Sequence, residues 1–120
     1  MMRKRILSFK YAFKGIWIVA TSEINFQIHL IAVVVALLLG IYLQIEIGEW
    51  LVILLCFAIV LAAEAFNSAI EKLVDFVSPN IHPQAGKIKD IAAGGVLITA
   101  IIAAIIGAII FIPKIWLQFN

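Results

Sequence analysis

Three long apolar stretches constrain this chain more than any other feature of its 120 residues. They run over about residues 28–45, 50–77 and 91–112. Each is long enough to cross a hydrocarbon core of about 30 Å, which takes roughly 20 residues of α-helix. Backbone polar groups in lipid must be paired within their own segment, and three spans cannot close a barrel. All three stretches are therefore predicted to be α-helices.

The composition indicates an integral membrane protein. Hydrophobic residues make up 65% of the chain and charged residues only 13%, and a soluble domain of this size could not bury so much apolar surface. We predict a single all-α membrane domain over residues 1–120, with no nucleic-acid partner.

A basic segment precedes the first span. Between about residues 5 and 22, Phe9, Phe13 and Trp17 recur at helical spacing, which predicts an amphipathic helix on the membrane surface. Basic residues concentrate there and in the connection between the second and third spans. Both regions are therefore expected in the cytoplasm, with the C-terminus outside. A helix that only sets this orientation is the alternative.

The second span carries acidic groups, which is unusual for a helix in lipid. Ionisable residues within the hydrocarbon cost roughly 2.5–3.5 kcal/mol each and usually serve a function. Four polar residues form what we call the polar stripe: Glu64, Asn67, Glu71 and Asp75. Helical geometry places them within an arc of about 80° and over a length of roughly 16 Å. The stripe predicts a path from lipid to cytosol, unless it only fixes packing against neighbouring helices.

The depth of each carboxylate suggests its chemistry. Glu64 lies deepest and suits a general base that takes a proton from a hydroxyl group. Glu71 lies nearer water, where it could hold a divalent cation together with Glu23, which directly precedes the first span. Mg²⁺ prefers few protein carboxylates combined with phosphate oxygens, so this pair and a nucleotide would make a sensible site. The alternative for Glu23 is a solvated side chain at the interface.

The connection between the second and third spans adds positive charge beside the stripe. Its prolines and Gly86 argue against continuous helix, so a loop is expected over residues 78–90. Lys87 and Lys89 could neutralise transferring phosphates, although a cytoplasmic location alone would also explain them. The sequence has no GxxxxGK[ST] phosphate loop, so any nucleotide is held in another way.

Small residues recur in the third span. One line of the helix carries Gly95, Thr99, Ala103 and Gly107. Such helices pack closely on others. Because three spans make a thin bundle, we expect oligomers in which this helix is central.

Two segments together resemble the signature of the prokaryotic diacylglycerol kinase family. They are Glu64-Ala65-Phe66-Asn67-Ser68-Ala69-Ile70-Glu71-x-x-Val74-Asp75 and Gly86-Lys87-x-Lys89-Asp90. Residues 9–15 and 23–29 are also similar to the family's surface helix and first-span entry. The resemblance covers nearly the whole chain. It implies a homotrimeric three-span kinase of the bacterial cytoplasmic membrane that moves the γ-phosphate of MgATP to a lipid hydroxyl.

The resemblance also implies a role for each site residue. Glu64 would be the catalytic base, and Glu23 and Glu71 would hold Mg²⁺. The implied ATP contacts are Tyr11, Glu23, Glu71, His82, Lys89 and Asp90. Asn67 and Asp75 would complete the stripe or contact the lipid headgroup.

Lys4 departs from the family pattern. It stands where an arginine is expected to contact phosphate, with Arg3 and Arg5 beside it, so the resemblance does not transfer that role to it directly.

The lipid substrate divides the family into diacylglycerol kinases and undecaprenol kinases that share the motif. Asn25, His29 and the pair His82-Pro83 look more like the undecaprenol branch. The predicted reaction therefore makes undecaprenyl phosphate, with phosphatidic acid from diacylglycerol as the alternative. A small pore or holin-like protein is a non-enzymatic alternative, but it would not need Asn67 between carboxylates. A member that binds lipid without turnover would not need Glu64, Glu71 and Asp90 intact.

Overall fold

The computed structural model describes residues 1–120 as four α-helices with no strand. The helices are α1 (Met2–Ser22), α2 (Ile24–Tyr42), α3 (Ile47–Val77) and α4 (Pro83–Phe119). The last three are each long and apolar enough to cross a membrane. The predicted class, an all-α membrane protein with an N-terminal helix before three spanning helices, is confirmed.

The helices α3 and α4 extend beyond the apolar stretches that define the spans. They contain 31 and 37 residues, so at about 1.5 Å per residue both exceed the thickness of a hydrocarbon core. α4 also continues past Pro113 to Phe119, because a proline removes only one hydrogen bond and membrane helices can satisfy the freed group in other ways.

The expected loop over residues 78–90 is wrong beyond His82, because α4 already begins at Pro83. Proline suits the first helical position, where the missing N–H would have no helical partner. Nδ1 of His82 accepts a hydrogen bond of 3.1 Å from the backbone N–H of Gln84, which caps the helix. Lys87, Lys89 and Asp90 therefore lie on the first turns of a helix.

Glu23 alone separates α1 from α2. Its backbone is extended, with φ −108° and ψ 113°. Nε2 of Gln27 donates a hydrogen bond of 3.1 Å to the carbonyl of Ala20, which satisfies one of the free carbonyls at the end of α1. Phe9 and Trp17 remain 68% and 70% exposed, so α1 keeps an apolar face free for a membrane surface.

The turn between α2 and α3 has a defined geometry. Gln44 adopts a left-handed conformation, with φ 52°, and the N–H of Ile45 donates to the carbonyl of Gly40 at 3.2 Å. This is the Schellman arrangement that commonly ends helices. A Cβ on Gly40 would lie 2.6 Å from the ring of Trp50, so the tight approach of this ring to α2 requires glycine.

A buried apolar cluster lies beside this turn. It consists of Ile45, Ile53, Ile110 and Phe111, and it ties the turn to α3 and α4. We call this region the turn end of the bundle. The opposite end of α3 carries the polar stripe, and we call it the carboxylate end. Only 12 of the 120 residues are buried, so most apolar side chains face outward, as expected where lipid or another chain covers them.

Candidate functional site

The centre of the site is a pair of buried polar side chains on α3. Glu64 is 3% exposed and Asn67 is 5% exposed. Nε2 of His29, on α2, lies 3.9 Å from Oε2 of Glu64. A carboxylate removed from water needs polar partners, and His29 provides one from a neighbouring helix.

Asn67 connects this centre to the next turn of the stripe. Its Nδ2 donates to Oε1 of Glu71 across 3.5 Å, which is a long hydrogen bond. Its Oδ1 is buried and has no partner. Leaving such an atom unpaired costs about 1–3 kcal/mol, so a bound molecule that donates a hydrogen bond here would recover that energy.

Glu23 meets α3 through Lys72. The ammonium group of Lys72 donates to the carboxylate of Glu23 and lies 3.3 Å from the hydroxyl of Ser68. The hydrogen bond from Lys72, followed by a weaker contribution from the Ser68 hydroxyl, holds the pKa of Glu23 below its usual range. Glu23 is therefore an anion at neutral pH, and it lies where α1, α2 and α3 converge.

A second ion pair lies at the Asp75 end of the stripe. Lys89, on the second turn of α4, pairs with Asp75 on the last turns of α3. The contact brings the two halves of the sequence signature together across the connection of residues 78–82. His82 lies in that connection, where it serves as the N-cap of α4.

Three predicted site residues remain apart from this network. Tyr11 is 63% exposed on α1, and Lys4 and Asp90 are also exposed. None of the three forms a side-chain hydrogen bond or an ion pair within the chain. Within one chain, the polar contacts therefore join Glu23 to Lys72 of α3 and Lys89 to Asp75 of the stripe, and they leave the α1 residues outside.

Sequence reasoning alone misses two residues that complete the network. It uses His29 only as a mark of the undecaprenol branch, and Lys72 only as part of the basic charge that sets orientation. His29 carries a usable signal, since a polar residue within the first apolar span raises the same question as Glu64 does in the second. Lys72 follows Ser68 by one turn, which places it on the same face of α3.

Comparison with known proteins identifies the family. The model of the family described as prokaryotic diacylglycerol kinase matches residues 10–111. The chain belongs to the prokaryotic diacylglycerol kinase family. The resemblance found in the sequence signature is therefore confirmed.

Relatives within the prokaryotic diacylglycerol kinase family carry two different substrate names. An undecaprenol kinase of Bacillus subtilis is 42% identical over 108 residues, which cover 90% of this chain and 88% of the relative. A diacylglycerol kinase of Synechocystis is 33% identical over 111 residues, 92% of this chain but only 63% of the relative. The diacylglycerol kinase of Escherichia coli K12 is 28% identical over 110 residues, covering 92% and 87%.

The donor set of this family member fits Mg²⁺ bound together with a nucleotide. The structure has no group of three or more His, Cys, Asp or Glu side chains that could hold a metal alone. Mg²⁺ is usually bound through one or two carboxylates plus phosphate oxygens and water, so a full protein cage is not required. Glu23 and Glu71 could supply the two carboxylates of such a site, and the unpaired Oδ1 of Asn67 is a further hard oxygen atom.

Proposed function

We propose that this protein is an ATP-dependent lipid kinase that phosphorylates undecaprenol in the bacterial cytoplasmic membrane. The observation that carries the proposal is the buried carboxylate of Glu64 within a membrane-spanning helix, 3% exposed, in a chain of the prokaryotic diacylglycerol kinase family. A lipid alcohol can reach a carboxylate at this depth without leaving the bilayer. This family membership favours the kinase over a small pore.

Undecaprenol is the favoured acceptor because of the relatives. The Bacillus subtilis undecaprenol kinase is 42% identical to this chain over 108 residues, whereas the diacylglycerol kinases of Helicobacter pylori, Synechocystis and Escherichia coli are 38%, 33% and 28% identical. Diacylglycerol is the alternative acceptor, since the signature around Glu64 is common to both branches.

The chemistry follows from the position of Glu64. Its carboxylate takes the proton of the lipid hydroxyl as the hydroxyl oxygen attacks the γ-phosphorus of ATP. A new P–O bond to the lipid forms, the bond between the γ-phosphorus and the bridging β–γ oxygen breaks, and ADP leaves. Positioning and electrostatic stabilisation contribute most of the catalysis in phosphoryl transfer. His29 orients the base by holding one of its oxygens.

The nucleotide extends from the cytosol along the polar stripe. Glu23 and Glu71 would hold Mg²⁺, which would supply positive charge to neutralise the phosphates. Lys89 exchanges Asp75 for a phosphate group, and Lys72 releases Glu23. The further contacts proposed for ATP come from Tyr11, His82 and Asp90.

An oligomer completes the site. Tyr11 and Lys4 lie apart from the stripe within one chain, so a homotrimer in which helices of neighbouring protomers meet would bring α1 residues to the nucleotide. On α4, Gly95 is exposed and a Cβ there would meet nothing within 4 Å, which leaves room for a helix of a neighbouring protomer to pack closely. We propose a cytoplasmic N-terminus and an external C-terminus for this single domain.

Phosphate transfer from labelled MgATP tests the proposal. The detergent-purified protein is offered undecaprenol and diacylglycerol in parallel mixed micelles, and each product is quantified. Preferential labelling of undecaprenol is expected. Preferential labelling of diacylglycerol would assign the protein to the alternative, and transfer to neither lipid by assembled protein would refute the kinase.

A further inference from the structure

An apolar cavity lies between α2, α3 and α4, on the side of Glu64 that faces the turn end. Its volume is about 220 Å³, and 12 of its 14 lining residues are hydrophobic. The wall includes the small residues Ala36, Ala103 and Gly107. A cavity of about 150 Å³ in another protein stays dry and binds benzene. By that scale this cavity has room for roughly eight to ten carbon atoms.

The cavity adjoins a groove that contains the proposed catalytic carboxylate, Glu64. This groove is lined in part by the polar residues Asn25, Glu64 and Asn67, and it shares two wall residues with the cavity, His29 and Ala100. His29 is the only wall residue of the cavity with an ionisable nitrogen, and it lies 3.9 Å from Glu64. It therefore marks the point where apolar and polar surroundings meet.

The position of the cavity suits a lipid whose hydrocarbon chain fills it and whose hydroxyl group stays at the His29 end. From His29 the wall continues along α2 to Ala36, which is about 10 Å at 1.5 Å per residue. At the far end its wall includes Ile53 and Phe111 of the apolar cluster. A chain lying in this space would place its terminal hydroxyl at Glu64 and its hydrocarbon away from the cytosol.

We propose that this cavity holds the first isoprene units of the acceptor prenol, with the hydroxyl group between His29 and Glu64. The inference rests on the proposed function and specifies how one acceptor class is chosen. A prenol carries its hydroxyl at the end of a single chain. Diacylglycerol carries two acyl chains on neighbouring carbons, and a cavity with room for about ten carbon atoms does not take both. A cavity that accepts a single chain therefore favours prenols over diacylglycerol.

Cys56 provides a direct reporter of occupancy. It is the single cysteine of the chain, its thiol is free, and it lines the cavity. The detergent-purified full-length protein is treated with N-ethylmaleimide, and labelling of Cys56 is followed over time by mass spectrometry. Undecaprenol or diacylglycerol is added in matched micelles, and Cys56→Ser checks that labelling is specific.

Undecaprenol is expected to protect Cys56. At ten times its Kd, about a tenth of the cavities stay empty, so labelling should slow about tenfold. Diacylglycerol at the same concentration should protect much less. Equal labelling with and without undecaprenol would overturn the proposal. So would a Cys56 that does not react in lipid-free protein, because a neighbouring protomer would then already cover the cavity.

A matched pair of variants links occupancy to turnover. Ala103→Leu fills the cavity from α4, whereas Ala108→Leu adds the same atoms on an exposed face of the same helix, outside the cavity wall. Ala103→Leu should raise the KM for undecaprenol about tenfold and weaken Cys56 protection, with the KM for ATP unchanged. Ala108→Leu should change neither value. An unchanged KM for undecaprenol in assembled Ala103→Leu protein would contradict the cavity assignment.

The lipid kinase activity and the prenol cavity would be refuted by different results. Wild-type protein that transfers phosphate to no lipid, although undecaprenol protects Cys56, would refute the kinase and support the binding cavity. Wild-type protein that phosphorylates undecaprenol without any protection of Cys56 would support the kinase and overturn the cavity.

Discussion

The two ends of the helical bundle are stabilised in different ways. At the turn end, the chain itself supplies the contacts, through an apolar cluster that includes Ile53 and Phe111. At the carboxylate end, Asn67 keeps an unpaired buried oxygen, and the carboxylate of Glu23 is held by a lysine. The apolar side chains of the turn end find their packing partners within one chain. At the carboxylate end, a substrate could replace the present partners of the polar groups.

The energies of these contacts explain why the two ends differ. Exposed ion pairs contribute about 0.2–1 kcal/mol each, so Lys72 and Lys89 can leave their carboxylates for phosphate groups at little cost. Burying one large apolar side chain is worth about 1.5–3 kcal/mol, so the cluster does not rearrange as easily. Stability is therefore concentrated at the turn end, and a substitution at one end can be compared with a matched substitution at the other.

Glu64→Gln should have the largest effect on activity. The substitution keeps the shape of the side chain and removes only the proton acceptor, and general bases contribute about 10²–10⁴-fold. We expect kcat for lipid phosphorylation to fall by about this factor while the protein assembles normally, measured by phosphate transfer and size-exclusion chromatography. Glu49→Gln at the turn end is the matched control and should keep full activity, since glutamine can also serve in the capping box. Full activity of Glu64→Gln would rule out its role as the base.

Gly40→Ala should have the largest effect on stability. The added Cβ would lie 2.6 and 2.8 Å from two ring atoms of Trp50, and overpacking of this kind costs about 1–3 kcal/mol. Thermal unfolding in detergent should shift to lower temperature, while the specific activity of the folded fraction stays close to wild type. Gly48→Ala is the control, because its Cβ would meet nothing within 4 Å. Equal stability of the two variants would mean that the ring of Trp50 moves freely.

Much of this architecture can be predicted from the sequence, because it depends on local pattern. The length of apolar stretches predicts three spanning helices, and helical spacing by itself places Glu64, Asn67 and Glu71 on one face of α3. The start of α4 is harder to predict, because Pro83 also fits a loop that interrupts the helix. At the first helical position, however, proline favours the start of a helix, and His82 directly before it caps α4.

The contacts between helices could not be predicted in the same way. His29 meets Glu64 and Lys72 meets Glu23 only because α2 and α3 are rotated and staggered by particular amounts. Periodicity gives the face of each helix but not these relative positions. The positions follow from packing, including the close approach of Trp50 to Gly40, which a single sequence does not reveal.

Glu71→Ala should change the response to metal more than it changes stability. Loss of an outer-shell partner typically costs about 10–100-fold in metal affinity, and loss of a direct ligand should cost at least as much. The Mg²⁺ concentration for half-maximal activity should therefore rise by that factor or more, measured at saturating ATP. Glu46→Ala at the turn end should leave the titration unchanged. An unaltered titration for Glu71→Ala would place the cation elsewhere.

Lys114→Met should have the smallest effect, and it gives the comparison its most stringent test. Nζ of Lys114 lies 3.3 Å from Oε1 of Glu49, with side chains 29% and 26% exposed, so the pair should contribute less than about 1 kcal/mol to stability. Lys72→Met removes an ion pair at the carboxylate end whose side chains are 55% and 25% exposed, and it should destabilise the protein no more. Only Lys72→Met should also alter the Mg²⁺ titration, lowering the half-maximal concentration because Glu23 is freed. If both variants left the titration unchanged, Lys72 would have only a structural role. If both changed it, the two ends of the bundle would be coupled, and the separation of stability from chemistry would not hold.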